Sequence, residues 1–264
     1  MHTLRAITIC LTCTLLNTAT LAHELWVQPM AHVVNQSELI KVTIMHGERF
    51  QGDPVARNSP MIRRYELMHP DHEAIPVVGL NTTVDGYIRP ANEGVIVYHT
   101  KRYESNLPAE QFTGYLREEG LGEIERRREA LGESEMPGRE VYSRCAKSVI
   151  LLAGGSADPS EVDHDTGLPL EIILKAIDAE SDTPRVRALI EFNDAPIAGI
   201  RVVAVSKSDP EHLIELKSDP DGMIRFDAAP GDWMITTLHI ERATDIETAE
   251  WESYWASSTF AIAE

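Results

Sequence analysis

Between residues 38 and 45 the chain alternates: Ile40, Val42 and Ile44 fall on one face together with His46, while Lys41 and Thr43 fall on the other. A period of two with one apolar face predicts a half-buried β-strand, with His46 at its end just before Gly47. Short runs of the same kind recur at 64–68, 75–78 and 94–101. Clusters rich in turn formers separate them, such as Asn81-Thr82-Thr83-Val84-Asp85-Gly86 and Arg89-Pro90-Ala91-Asn92. Short strands at regular spacing with turn signals between them predict an antiparallel sandwich.

The period changes after Pro108. A segment rich in Glu, Arg, Leu and Ala runs from about 108 to 131, with Pro108 suited to a first helical turn and Gly120 and Gly122 splitting the segment into two short helices. Phe112, Tyr115, Leu116 and Leu121 supply its apolar stripe. The run Arg126-Arg127-Arg128 is surrounded by Glu118, Glu119, Glu123, Glu125 and Glu129, which reads as a solvated face with local ion pairs rather than an anion site. A returning strand follows at 149–153. Residues 154–167 hold Gly, Ser, Pro and acidic side chains with little to bury, the composition of a linker. In the second half, strands are expected at 200–206, 213–217, 223–226, 233–240 and 259–262, with turns at Asp219-Pro220-Asp221-Gly222 and Pro230-Gly231-Asp232. The first of these turns lacks the later acidic residues of a calcium loop and reads as a plain turn.

The expected fold is therefore mainly β, with two antiparallel immunoglobulin-like β-sandwich domains and a helical insert in the first. Residues 23–155 would form the N-terminal sandwich, 156–168 an acidic linker, and 169–264 the C-terminal sandwich.

Residues 1–22 change the picture of location. A weakly basic start (His2, Arg5), an apolar run from Ala6 to Leu16 and Thr20-Leu21-Ala22 have the form of a secretory signal with a small-x-small cleavage site. Its removal would leave a soluble exported protein, periplasmic in a Gram-negative host, because no later apolar run reaches the ~20 residues needed to span a bilayer. The formal net charge is −18, and loss of Arg5 makes it one unit more negative. Such a surface repels nucleic acid and anionic membranes. Cys10 and Cys13 leave with the signal, so Cys145 has no internal disulfide partner.

Cleavage after Ala22 would make His23 the first residue and give a metal two donors from one residue, the imidazole and the α-amine, whose pKa of roughly 7.7–8.0 leaves it partly neutral near pH 7. Side-chain catalysis has little support: the chain carries no Gly-x-Ser-x-Gly elbow, no His-Glu-x-x-His helix and no phosphate loop. Cys145 sits beside Arg144 and Lys147, which would lower its pKa, but no base partners it. His69 and His72 flank a turn and read as exposed. His164 lies between Asp163 and Asp165 in the acidic linker, and His99 alternates with Val95 and Val97 as a core histidine would. Trp251, Tyr254 and Trp255 are equally suited to stacking on a sugar and to packing between domains.

Four segments together resemble the exported bacterial family known as domain of unknown function 4198. They are His23-Glu24-Leu25-Trp26-Val27-Gln28-Pro29, residues 112–120, Tyr142-Ser143-Arg144-Cys145-Ala146-Lys147 and residues 251–257. Residues 196–240 also resemble the carboxypeptidase-regulatory or transthyretin-like module. Family members are often grouped with nickel-uptake and cobalt/nickel-transport proteins. The resemblance thus implies an exported metal-associated protein working with a membrane metal-uptake system, and it carries three positions as metal ligands: His23, His46 and His239. Nickel, cobalt and copper all accept imidazole and amine nitrogen.

Three functions follow as expectations. The first is a non-enzymatic metal-binding accessory protein for nickel or cobalt, or copper. The second is a non-metal sandwich module recognising a glycan or an envelope protein through the tail aromatics. The third, ranked last, is a copper oxygenase with His23 as half of a histidine brace.

Overall fold

The computed structural model describes residues 23–178 and 184–263; the expected signal segment, 1–22, lies outside the described residues. The chain is mainly β, and its strands fall into three sheets. The first contains Glu24–Pro29, Ile40–Glu48, Gln51–Pro54 and Asp85–Ile88, all antiparallel. The predicted alternation is present: Ile40, Val42 and Ile44 are almost fully buried on one face, and His46 follows them on that face toward the strand end. These residues pack on Ile96, Tyr98, Ala146 and Ile150, which belong to the second sheet.

That second sheet has ten strands and spans most of the molecule. Its central members are Gly138–Leu152 and Trp251–Ile262, which run parallel in the register Glu140↔Trp251 to Ser148↔Thr259. On one side of this pair lie Gly94–Thr100, Ile62–His69 and His72–Pro76; on the other lie Gly231–Arg242, Arg201–Ser206 and Asp209–Lys217. Strands from both halves of the chain therefore share one sheet, across the boundary expected from the sequence. Because side chains alternate along a strand, the central strands serve two cores. Val95, Val97, Cys145 and Val149 face the third sheet, formed by Leu170–Asp178, Arg185–Phe192, Ala195–Pro196 and Met223–Asp227, and pack on Leu170, Ile172, Val186 and Phe260.

Gly138–Leu152 is three times as long as the returning strand expected at 149–153, because its first half is not an apolar run. It alternates buried polar groups, Glu140 and Arg144 among them, that the apolar criterion passes over. Trp251–Ile262 is likewise longer than the expected 259–262.

The helices come where Pro108 and the glycines place them, at Ala109–Glu118 and Gly122–Ala130. Phe112, Tyr115 and Leu116 are buried against Leu238, Ile240 and Trp251, with Leu121 partly buried beside them. The arginine run is only in part a solvated face. Arg126 pairs with Glu123 at 2.5 Å in the open, but Arg128 is buried, donates Nη2 to the carbonyls of Glu133 and Met136, and lies over the Phe112 ring. Gly138 has no room for a side chain, since an added Cβ would sit 2.1 Å from that ring.

Residues 156–168 are acidic but not a free tether. Asp158 caps a short helix at Pro159–Val162, and Pro159, Asp163, Thr166 and Leu168 are buried. Lys147, 1% exposed, meets Asp163 at 2.6 Å and Glu171 at 2.9 Å and donates to the His164 carbonyl. The carboxylates are themselves held: Asp163 accepts from the Leu174 amide, and Glu171 from the amides of Thr166 and Leu168. A buried cation thus explains Asp163, and a helix cap Asp158, where composition alone assigns both to a linker. The Asp219 turn is a plain turn, with Oδ1 accepting from the amides of Asp221 and Met223.

Candidate functional site

Glu24–Pro29 and Ile40–Glu48 pair so that Leu25 opposes His46. Opposed residues share a face, and so do residues two apart on a strand, so His23 and His46 are diagonal neighbours. Their rings stack, with centroids 4.9 Å apart and planes 12° from parallel. Burial, and then the positive charge of Arg144 and the neighbouring His23, hold the His46 pKa below the ordinary histidine value, so its imidazole stays neutral near pH 7 with a lone pair to offer. Imidazole pairs suit nickel, cobalt, copper or zinc; magnesium and calcium prefer oxygen. Among the described residues, no group of three or more His, Cys, Asp or Glu side chains is arranged to hold a metal ion, so the side chains alone supply a pair.

The two histidines border a cavity of about 360 Å³ whose other walls include Glu104, Tyr142, Arg144, Glu140 and Trp255. Arg144 projects from the central strand opposite Trp255 in the parallel register. Its guanidinium lies 4.7 Å from the centre of the Trp255 ring and 5.2 Å from that of Tyr142. Arg144 is 8% exposed, and its Nη1 is buried without a hydrogen-bond partner among the described residues. Burial lowers its pKa, against which Tyr142, Tyr115, Glu140 and Glu119 act; an arginine remains a cation throughout the neutral range. Glu140 is buried beside it and accepts hydrogen bonds from Tyr115 and Ser253. Its burial outweighs those bonds and pushes its pKa up to about 7.

Arg144 and Trp255 also border a second cavity, of about 290 Å³, with Glu24, Glu119 and Arg201. Glu24 lies on the opposite face of its strand from His23 and accepts from Thr236 Oγ1 at 3.1 Å. Burial raises the Glu24 pKa and lifts that of Glu119 to about 7, although Arg201 stands 3.7 Å from Glu119.

Residues 20–241 match the model of a family described as a domain of unknown function (DUF4198). The chain belongs to that family. No curated protein matches this DUF4198 chain. Among solved structures it is similar to the D0-D1 domain of Intimin, at 12% identity over 89% of this chain and 97% of that one, with a TM-score of 0.22. It is also similar to a tetra-tandem repeat in the extending region of a large adhesion protein, at 8% identity over 90% of this chain and 49% of that one, with a TM-score of 0.21.

In this DUF4198 chain His239 does not join the other two histidines. It pairs in register with Tyr254, and its ring lies 4.3 Å from that of Phe192, against the third sheet. Its neighbours Leu238 and Trp255 occupy the opposite face of the same sheet, the face toward the helices and the His23–His46 cavity. The two-residue period that carries His239 to a strand puts it on the wrong side. The tail aromatics divide in the same way: Trp251 and Trp255 face the helices and Tyr254 faces Phe192, so they form no single stacking platform.

Cys145 is 1% exposed, and burial pushes its pKa up to about 12. The adjacent cations do not activate it, because Arg144 points to the other face and Lys147 is engaged by Asp163 and Glu171. His164 turns inward, Nδ1 3.1 Å from the Val162 carbonyl. His99 is buried, as its alternation predicts, and burial depresses its pKa to about 4. His69 and His72 face each other across their hairpin, ring centroids 4.5 Å apart.

Arg144, Glu140 and Glu119 were not identifiable as cavity residues from the sequence. The available signal was that Glu119 and Arg144 fall inside two of the segments that resemble the family, 112–120 and 142–147.

Proposed function

We propose that this is an exported, periplasmic metal-binding accessory protein that passes nickel or cobalt, or copper, to a membrane uptake system, with His23 and His46 as ligands. The observation that carries the reading is the adjacency of these two imidazoles, 23 residues apart in the chain, with ring centres 4.9 Å apart in the wall of one cavity; the stacked rings would turn about their side-chain bonds to converge on a metal. Cleavage after Ala22 would add the α-amine of His23 as a third nitrogen, the donor that the side chains alone do not supply. Export would then create the site, and the unprocessed chain in the cytoplasm would lack it. The resemblance read from the sequence favours nickel or cobalt, and the nitrogen donors are compatible with copper as well. His239 is left out of the site on geometric grounds.

The test is intact mass spectrometry with metal titration on protein exported by its own signal. One metal per chain is expected, lost in His23→Ala, in His46→Ala and in a variant extended by one residue before His23, but kept in His239→Ala. Cleavage at another position, or equal binding by the extended variant, would overturn the terminal-amine site.

A further inference from the structure

Arg144 poses a problem that the metal site does not solve. A cation removed from water costs several kcal/mol unless an anion or a full set of acceptors compensates it. Among the described residues no carboxylate forms an ion pair with the guanidinium and Nη1 has no acceptor. What holds the group are two aromatic rings, Trp255 and Tyr142. A ring face attracts the charge without occupying the in-plane N–H donors; Nη1 is closed off, so the Nε–Nη2 edge, which makes no hydrogen bond among the described residues, is the one that remains for a ligand. The nearest buried carboxyl, Glu140, takes its hydrogen bonds from Tyr115 and Ser253 instead. Arg144 and the histidine pair border the same 360 Å³ cavity, large enough for a small organic molecule.

We propose that Arg144 anchors a carboxylate subsite, so that the cavity takes a metal held by a small hydroxy- or amino-carboxylate rather than the bare ion. The identification of the ligand as a metal chelate rests on the function proposed above; the subsite itself rests on Arg144. One carboxylate matches one guanidinium in charge and in its two-pronged geometry. A second carboxylate on the ligand would meet Glu104, in the wall of the same cavity, unless the metal neutralises it, which makes the binding of a dicarboxylate depend on nickel. A chelate whose carboxylate reaches Arg144 would place its metal toward His23 and His46 and leave the coordination incomplete on that side, where the imidazoles would enter.

Calorimetry on the exported, metal-free protein tests this with three titrants: nickel(II) alone, L-malate alone, and L-malate added to nickel-loaded protein. Malate is a weak chelator, and its dimethyl ester is the uncharged control. Malate is expected to bind nickel-loaded protein about ten-fold or more tighter than metal-free protein, and the ester not to bind. Arg144→Gln should weaken malate about ten-fold or more in both forms, equivalent to about 1.4 kcal/mol, with about three-fold or less change for nickel alone. His46→Ala should abolish nickel binding and the enhancement while keeping malate alone. Arg144→Lys, with thermal melting of each variant, covers the case in which the glutamine variant misfolds. Nickel binding without malate binding, or malate binding that the ester matches or that neither Arg144 variant weakens, would overturn the subsite and leave the metal reading intact. Malate binding through Arg144 that bound nickel does not tighten would overturn the chelate, and failure of nickel alone to bind would overturn the metal reading with it.

Discussion

Replacing Lys147 by Met is the sharpest test of how the two halves are joined. Lys147 sits on the central strand, 1% exposed, and its ammonium is 2.6 Å from Asp163, on the segment that leads into the third sheet, and 2.9 Å from Glu171, on that sheet's strand Leu170–Asp178. Methionine nearly matches its volume, so the cavity contribution is small and the loss reports the charge. Removing one partner of a buried ion pair costs about 3–5 kcal/mol, and here two carboxylates would lose their cation. Against a total stability of about 5–15 kcal/mol, that is a large fraction. In urea, with a slope of about 3 kcal/mol/M, the unfolding midpoint should fall by about 1 M or more. Adding Glu171→Gln should restore part of the loss, because one of the stranded charges is then gone. Burial would lower the Lys147 pKa, but Asp163 and Glu171 together outweigh it and leave it raised. A raised folded-state value means that the stabilisation is fully present below the unfolded value near 10.4 and disappears as pH rises beyond the folded value, so the wild-type advantage should shrink only in strong alkali. A loss below about 1 kcal/mol, the range of an exposed pair, would refute the argument.

Other outcomes follow from the same physics. Glu140→Gln should be more favourable at pH 8 than at pH 5: with the folded pKa raised to about 7, burial of Glu140 costs stability progressively as pH rises from the unfolded value, and thermal melts of both proteins at the two pH values would show a relative gain of up to a few kcal/mol. Gly138→Ala drives a methyl into the Phe112 ring and should cost about 1–3 kcal/mol or more by denaturant titration, with the helices undocking first. Trp251→Ala removes a fully buried indole that Leu238, Phe112 and the Arg242 guanidinium pack against, for a loss of about 3–5 kcal/mol in the same assay. Cys145 should resist thiol reagents at pH 8 in the native protein and react fully in urea; fast native labelling would contradict its burial.

The sequence was most informative where burial is one-sided. The alternation from Ile40 to His46 and the stripe Phe112, Tyr115 and Leu116 name their own buried faces, and both are buried as read. It was least informative where strands carry buried polar groups. Glu140, Arg144 and Lys147 interrupt the apolar pattern of a strand that is nonetheless central, and only tertiary partners make those positions tolerable. Composition likewise cannot tell a solvated acidic tether from a segment whose Asp163 reaches a buried lysine. Parallel pairing of residues 140–148 with 251–259 is a long-range choice with no local signature, yet it makes one sheet of both halves and puts Arg144 beside Trp255.

That pairing also explains why the candidate site lies where it does. His46 belongs to the first sheet and His23 immediately precedes its first strand, Arg144 belongs to the central strand, and Trp255 to the strand Trp251–Ile262, so the cavity exists only once these distant segments have met. Ser257 Oγ and Thr259 Oγ1 donate to the carbonyls of Leu25 and Val27, fixing the strand that carries His23 onto the final strand. Thr259→Val should therefore loosen the site without touching a proposed ligand. It strands the Val27 carbonyl and the Ser148 hydroxyl, which also meets Thr259 at 2.8 Å, at a cost of about 1–3 kcal/mol. Hydrogen exchange should then rise first in residues 24–29. Unchanged protection there, with the same global loss, would show that these side-chain bonds do not hold the first strand in place.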